Sequence, residues 1–275
     1  DNGIPTSVVC PLAQGEPYYL KASFPELNQA KVISPVLDFS QGFESMSRDF
    51  AAIANLLAVN LTTAIHAYDQ AVRQQKACMA EMQEIGRRVL QDLSDNTDRI
   101  AVVLFGRPYN AFTRRANMGV PQKFATRGYQ ILPWEFLPIA EQPPVHHMFW
   151  SMGQMMLKAG KIVKQHNQLF ATYITNFSCG PDSFIISYLR DMMEQKPTLV
   201  LELDSHTADA GLDTRVEAFI DVVNSFREQG RLAQRKTAKP FRRAVSQWDK
   251  DKLAIIDSTG RQHSLNSPSV QLIVP

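Results

Sequence analysis

The hydrophobic pattern divides the chain into a helical first part and a second part in which strands and helices alternate. Between Ser45 and Leu93, apolar residues recur at three- and four-residue steps in two successive stretches, which predicts a long helical arm packed across the domain. Before Ser45 the chain is predicted to be irregular, with strand-like pieces only near residues 7–9 and 31–33.

From Asp98 onward, short apolar runs alternate with amphipathic stretches. The continuous apolar runs predict buried strands at residues 99–105, 129–132, 169–175 and 198–201. The amphipathic stretches predict helices at residues 120–126, 147–165, 182–193 and 214–229. Strands that alternate with helices predict an α/β fold with a parallel, doubly wound sheet.

The composition changes after Gly230. Six cations occur there with no acidic residue before Asp249: Arg231, Arg235, Lys236, Lys239, Arg242 and Arg243. This segment is interpreted as a solvated connection, or alternatively as a docking segment for an acidic partner or for phosphate groups. Short strands are expected at residues 253–256 and 270–274. We therefore predict three regions: a partial N-terminal lobe with the helical arm (1–97), an α/β lobe (98–230) and a basic C-terminal extension (231–275).

Composition and charge restrict the class of protein. Hydrophobic residues make up 44% and charged residues 20% of the chain, as in a globular protein, and the net charge of +2 is too balanced for a nucleic-acid binder. No apolar run approaches the roughly 20 residues of a membrane span, and no signal peptide opens the chain. Three cysteines suit a reducing compartment, so a cytoplasmic location is expected. The sequence begins with Asp1 and not with a start methionine, so the chain is expected to be a piece of a longer protein.

Several common catalytic motifs are missing from the sequence. It contains neither the phosphate loop Gly-x-x-x-x-Gly-Lys-Ser/Thr nor the dinucleotide turn Gly-x-Gly-x-x-Gly. It also lacks the Gly-x-Ser-x-Gly elbow of serine hydrolases. ATP hydrolysis, nicotinamide chemistry and serine hydrolysis are therefore not indicated for this chain.

Polar clusters follow three of the predicted strands, at the edge where a doubly wound sheet gathers its function. The first cluster, residues 106–110, contains Arg107, which could hold an anion or a carboxylate. The second is the turn at residues 175–184, which contains Cys179. The third begins at Glu202 and continues to Glu217.

The third cluster allows two interpretations. Its side chains Glu202, Asp204, His206 and Asp209 are of the types that bind a divalent metal. A hydrogen-bonded network that braces the loop is the favoured interpretation, because charges after a buried strand must be paired. Farther along, Thr214 and Glu217 have the spacing of a helix capping box.

Two of the three cysteines lie at bends of the predicted fold. Cys10 ends an apolar run before Pro11, and Cys179 lies at a strand-to-helix turn, where the N–H groups of the next helix can stabilise a thiolate. These two form a candidate metal-cluster site. Cys78 lies within the helical arm and is interpreted as a small buried hydrophobe. An alternative is a thiol enzyme in which Cys179 is the nucleophile and His206 its base.

At the three clusters the sequence resembles a known family. The segments are residues 105–110 (Phe-Gly-Arg-Pro-Tyr-Asn), 117–121 (Asn-Met-Gly-Val-Pro), 176–184 (Asn-Phe-Ser-Cys-Gly-Pro-Asp-Ser-Phe) and 196–219. They resemble the iron–sulfur reductase-like region of large fused proteins labelled activators of 2-hydroxyacyl-CoA dehydratase, or CoA-substrate-specific enzyme activases. The resemblance covers roughly residues 98–225, with Cys10-Pro11 as an outlying match.

The resemblance implies Rossmann-like lobes with cysteines on the loops between them. Related proteins are the 2-hydroxyacyl-CoA dehydratase, benzoyl-CoA reductase and double-cubane cluster proteins, whose cysteines hold a 4Fe-4S or double-cubane iron–sulfur cluster. On this basis Cys10 and Cys179 match two metal ligands. The family uses at least three cysteines per cubane, so the third is expected upstream of Asp1. Arg107, Asn176 and Asp182 would fix the loops or hydrogen-bond to sulfur or substrate.

The same resemblance implies an anaerobic electron-transfer function. The chain would be the reductase-like half, which accepts low-potential electrons from an ATP-dependent, actin-like partner domain whose nucleotide site is not in this sequence. Its substrate would be an acyl-CoA-type or other small molecule. The alternative is a non-catalytic scaffold or partner-docking domain of the same protein, and the sequence leaves open whether this chain is itself an enzyme.

Overall fold

The computed structural model describes residues 9–145, 148–176, 180–235, 245–249, 252–256 and 261–264. The chain divides into two units, Asp1–Val223 and Asn224–Pro275. Of the features predicted above, Cys179, residues 7–8, most of the basic segment and the strand at 270–274 lie outside the described residues.

The helical arm is confirmed: it consists of α2 (Ser47–Leu56) and the 35-residue α3 (Leu61–Asp95). The prediction that the chain is irregular before Ser45 is wrong, because residues 11–23 form a helix, α1 (Pro11–Ser23). None of its residues is buried, so it lacks the apolar face by which a helix is recognised in sequence. The side chain of Asn60 caps α3, because its oxygen accepts a 2.8 Å hydrogen bond from the Thr62 N–H. Helix α2 packs on the first half of α3.

The strand-like piece predicted at residues 31–33 is not a strand. The chain is irregular there, because no neighbouring strand among the described residues offers a hydrogen-bonding ladder and Pro35 removes a donor just beyond it. A run of three residues, of which Val32 and Ile33 are β-branched, is too short to form a strand without such a partner.

The predicted parallel sheet is confirmed. It consists of β1 (Ala101–Phe105), β2 (Gln130–Pro133), β3 (Leu169–Thr175) and β4 (Thr198–Glu202), in the order β2-β1-β3-β4. All neighbouring pairs are parallel, and Ala101 stands opposite Gln130 on one side and Leu169 on the other. Every residue of β1 and β3 is buried. Both faces are covered, which explains their continuous apolar runs.

Helices connect these strands. They are α4 (Pro108–Ala111), α5 (Val120–Ala125), α6 (Ser151–Gln165), α7 (Gly180–Met193) and α8 (Asp209–Arg235). Two glycines of α6 allow it to lie close to α7. A Cβ at Gly153 would come within 2.7 Å of the Ile185 Cδ1, and one at Gly160 within 2.8 Å of the Leu189 Cδ1.

Helix α8 begins five residues before the predicted start. Thr214 therefore lies inside the helix, where its hydroxyl donates a 3.1 Å hydrogen bond to the Ala210 carbonyl. The capping box predicted at Thr214 and Glu217 is wrong, because the helix has already started at Asp209.

The second unit contains a small antiparallel sheet of β5 (Val245–Asp249), β6 (Lys252–Ile256) and β7 (Gln262–Ser264). The strand predicted at residues 253–256 is confirmed. Among the helices described, none has both the length and the apolar character needed to cross a bilayer.

Candidate functional site

The order of the strands creates a crevice at the carboxyl ends of β1 and β3. The chain leaves β1 toward β2 on one side and later returns on the other side as β3, so the connections diverge between these two strands. In open α/β sheets, ligands bind at this switch point. Arg107 follows β1, and Asp182 lies in the first turn of α7, which follows β3.

The structure brings Arg107 and Asp182 together as an ion pair. The Arg107 Nη2 donates to the Asp182 Oδ2 at 3.2 Å, and the two side chains are 10% and 0% exposed. The guanidinium carbon also lies 4.9 Å from the centre of the Tyr109 ring, a cation–π distance. The pair therefore joins the turn after β1 to the start of α7, across the crevice.

Two residues of β3 complete the surroundings of Asp182. The Thr175 hydroxyl donates to its Oδ2 at 2.7 Å, and the Tyr173 hydroxyl donates to its Oδ1 at 3.1 Å. Burial, and then the charge of Asp182, raise the pKa of Tyr173 above its ordinary value, so its proton stays in place as a donor. Sequence analysis missed both residues. The signal was two hydroxyl groups, at i and i+2, on one face of the strand.

The backbone at Gly106 explains how the turn after β1 approaches β3 so closely. Gly106 has φ +133°, and any side chain there would clash with the Ile174 carbonyl oxygen. The Trp134 indole N–H donates to the Gly106 carbonyl at 3.1 Å, which fixes the turn from the other side. Nearby, the Asn110 side-chain nitrogen is buried without a hydrogen-bond partner among the described residues.

Not all of the predicted site residues join this cluster. Asn176 is exposed at the end of β3, and Cys179 lies outside the described residues. Cys10 lies apart from the ion pair in sequence, as the residue before α1, and its thiol is half-buried.

Cys10 lies in the wall of an apolar pocket of about 490 Å3. Three segments form this pocket: the start of α1, residues 148–150 before α6, and the first half of α7. Gly180 and Pro181, which begin α7, line it together with Cys10. The pocket therefore brings Cys10 next to the helix that starts directly after Cys179.

The third cysteine does not belong to this pocket. Cys78 is exposed on α3, so its interpretation as a buried hydrophobe is wrong. The middle of α3 faces solvent there, and the Cys78 thiol lies 4.0 Å from the Met82 sulfur one turn away.

The acidic cluster after β4 is a hydrogen-bonded network, as the favoured interpretation held. The Asp204 Oδ1 accepts from the His206 N–H at 2.8 Å and from the Thr207 hydroxyl at 2.9 Å. These hydrogen bonds lower the pKa of the Asp204 carboxyl, and the bond from the Thr207 hydroxyl makes the largest contribution. Asp209 instead pairs with Lys123, at 2.7 Å. The described residues contain no group of three or more His, Cys, Asp or Glu side chains that could hold a metal ion.

Comparison with known proteins gives one match. Residues 1–137 match the family model described as the CoA enzyme activase uncharacterised domain. No curated protein and no solved structure matches the chain. The match begins before Cys10 and continues through β1, Arg107 and β2. Residues 1–137, about half of the chain, therefore belong to the family described as the CoA enzyme activase uncharacterised domain.

Proposed function

We propose that this chain is the reductase-like half of a CoA enzyme activase-related iron–sulfur protein, with Cys10 and Cys179 as two of the thiolate ligands of its cluster. One observation carries the proposal. Cys10 and Gly180, far apart in sequence, line the same pocket, so the segment that precedes α1 and the helix that follows Cys179 meet there.

The surroundings of Cys10 fit a thiolate ligand of a cluster. Its thiol is half-buried and not engaged in a disulfide, and the apolar side chains around it would keep water from an oxygen-sensitive group. Thiolates are the usual protein ligands of cluster iron. Among the described residues that line the pocket, Cys10 carries a thiol. The remaining ligands would come from Cys179 and from a segment outside this chain. When bound, such a cluster accepts and donates single electrons at low potential.

In this proposal the crevice residues have a positioning role. Arg107, Thr175 and Tyr173 hold Asp182 in the first turn of α7, and Gly180 in the same turn lines the pocket. The ion pair would thus fix the helix that follows the Cys179 turn. Electrons would come from an ATP-dependent partner domain. A small substrate of the acyl-CoA type would bind near the Asn110 donor, at the carboxyl end of β1.

Iron and sulfide analysis under anaerobic conditions tests this proposal. After reconstitution, the dithionite-reduced protein is examined by electron paramagnetic resonance, for this chain and for a longer protein that begins upstream of Asp1. Cys10→Ser and Cys179→Ser are expected to remove iron and the cluster signal from every form that binds it. Cys78→Ser is the matched control, because Cys78 is exposed and outside the pocket. Equal iron in Cys10→Ser and Cys78→Ser would refute the ligand assignment.

A second candidate function is a scaffold that docks a partner. Large apolar side chains are exposed along residues 9–39, among them Tyr18 (79% exposed) and Val36 (90% exposed). Contiguous exposed apolar surface marks interaction sites. Tight binding of the ATPase domain by a protein that takes up no iron in either length would favour this function over the first.

A further inference from the structure

The pocket beside Cys10 has the composition of a site for a small apolar molecule. Four aromatic rings line it, those of Phe149, Trp150, Phe184 and Tyr188. Its volume of about 490 Å3 lies within the range of roughly 300–1,000 Å3 typical of small-molecule sites. Such sites combine an apolar wall with a few polar groups, and Cys10, Trp150 and Tyr188 are lining residues whose side chains carry a hydrogen-bond donor.

The charge of the lining residues restricts the ligand. None of the described residues that line the pocket has a charged side chain. A carboxylate or phosphate that entered it would lose water and would find no cationic side chain among the described lining residues. An uncharged molecule with a ring would instead bury apolar surface against aromatic faces, at preferred stacking distances.

Two of the aromatic rings that line the pocket remain largely accessible. Phe184 is 66% exposed and Tyr188 45% exposed, one helical turn apart on α7. The next positions, Ile185 and Leu189, are each 1% exposed and face the core. Much of the surface of the two rings is therefore left unburied by the fold. A ligand in the pocket would bury part of their surface.

We infer that this pocket is a binding site for a neutral, ring-bearing small molecule. The inference goes beyond the proposed function, because such binding requires no cluster and no partner domain. It rests on the shape and composition of the pocket alone.

Two isosteric probes test the charge selectivity. 1-Naphthalenemethanol is neutral, and 1-naphthoate has the same ring system with a carboxylate. Their binding to the chain without iron is measured by naphthalene fluorescence and by equilibrium dialysis. We expect the alcohol to bind at least tenfold more tightly than the carboxylate. Equal affinity, tighter binding of the carboxylate, or no saturable binding of the alcohol would overturn the inference.

Helix α6 provides a matched pair of variants that locates the site. In Gly153→Ala the new methyl group would lie 2.6 Å from the Met148 Sδ and 3.1 Å from the Trp150 Cε3, so these pocket-lining side chains must move. In Gly160→Ala the nearest atom is the Leu189 Cδ1 at 2.8 Å, which is not part of the pocket. Both variants strain the contact with α7. We expect Gly153→Ala to lose at least tenfold in affinity for the alcohol and Gly160→Ala to stay within twofold.

A surface pair keeps the test informative if the glycine variants fail to fold. Phe184→Asp places a charge on the pocket wall at an exposed position, whereas Ser187→Asp places one on the same helix outside the pocket. We expect only Phe184→Asp to abolish binding of the alcohol. Equal affinity in the two variants would place the binding elsewhere and refute the inference.

The alkylation rates of the individual cysteines show where the alcohol binds. Saturating alcohol should slow alkylation of Cys10 by iodoacetamide at least fivefold, measured peptide by peptide, and leave the exposed Cys78 unchanged as an internal reference. Equal rates at Cys10 with and without the alcohol would contradict the inference. Cys10→Ser separates the two hypotheses, because it should lose iron but still bind the alcohol. Iron uptake without alcohol binding would refute this inference and leave the proposed function intact.

Discussion

Replacing Asp182 by Asn tests the crevice directly. The substitution keeps the size of the side chain and removes its charge. Asp182 is fully buried and accepts from Arg107, Tyr173 and Thr175. Removing one partner of a buried ion pair costs about 3–5 kcal/mol, because the other charge stays in a poorly solvated place. The Arg107 side chain is 10% exposed and retains some solvent, so we expect the lower end, about 3 kcal/mol.

The chain offers a control with the same chemistry. Asp209→Asn also removes a carboxylate from an ion pair, with Lys123 at 2.7 Å, but Asp209 is 71% exposed. An exposed pair contributes up to about 1 kcal/mol. Urea unfolding followed by far-UV circular dichroism compares the two variants with the unchanged chain. For a unit of this size, about 3 kcal/mol corresponds to a decrease in Tm of roughly 6–12 °C.

The result that would refute this reasoning is equal loss in the two variants. If Asp182→Asn lost less than about 1 kcal/mol, the ion pair would not hold α7 against the sheet. A further variant checks the cause. Replacing both Arg107 and Asp182 by apolar residues of similar volume should restore much of the stability that Asp182→Asn loses, because neither charge then remains buried.

Three more predictions follow from buried contacts. Burial, and to a smaller extent the charge of Lys164, lower the pKa of Lys196 from 10.5 to about 8. Between pH 8 and pH 10.5 the unfolded chain therefore binds more protons at this side chain than the folded chain does. The free energy of unfolding should then rise from pH 8 to 10.5, by up to about 3 kcal/mol relative to Lys196→Met, and parallel pH profiles would contradict this. Gly86→Ala should cost more than about 2 kcal/mol in urea unfolding, because its methyl group would clash with the Phe136 carbonyl. Gly211→Ala, with open space, should be neutral or stabilising by about 1 kcal/mol. Tyr173→Phe removes one donor from Asp182 and should cost about 1 kcal/mol in the same assay; an unchanged midpoint would contradict this.

The sheet could be predicted because strands that are buried on both faces appear in the sequence as continuous apolar runs. Residues 169–175 form an apolar run interrupted by three hydroxyl groups, at Thr172, Tyr173 and Thr175, and β3 has the predicted bounds. The Arg107 turn was predicted from its position after a strand, and Asp182 was predicted from the family resemblance. Their mutual contact was not predicted, since it depends on the strand order, which places β1 beside β3 although β2 lies between them in sequence.

Local signals failed where long-range contacts decide the structure. Thr214 and Glu217 have the spacing of a capping box, but α8 starts at Asp209, whose carboxylate pairs with Lys123 on α5. Side chains farther along α8 continue this contact: Asp213 pairs with both Lys123 and Arg127. These partners lie about 90 residues earlier in the chain. No residue pattern within α8 indicates these distant partners.

The pocket could not be predicted, because its walls come from three distant segments. A weaker signal was present in α7, where Phe184 and Tyr188 stand one turn apart beside the core positions Ile185 and Leu189. Exposed aromatic rings on the outer face of a helix are typical of a surface that binds something.

The first turn of α7 connects the two parts of the candidate site. Gly180 and Pro181 line the pocket with Cys10, and the next residue, Asp182, turns into the core and is held by the Arg107 ion pair. Because consecutive residues of one helical turn cannot move independently, the ion pair at the crevice determines where the pocket wall stands. The buried charge, which a stability argument alone does not justify, thus has a structural reason: it fixes the one turn that the crevice, the pocket and the Cys179 segment share.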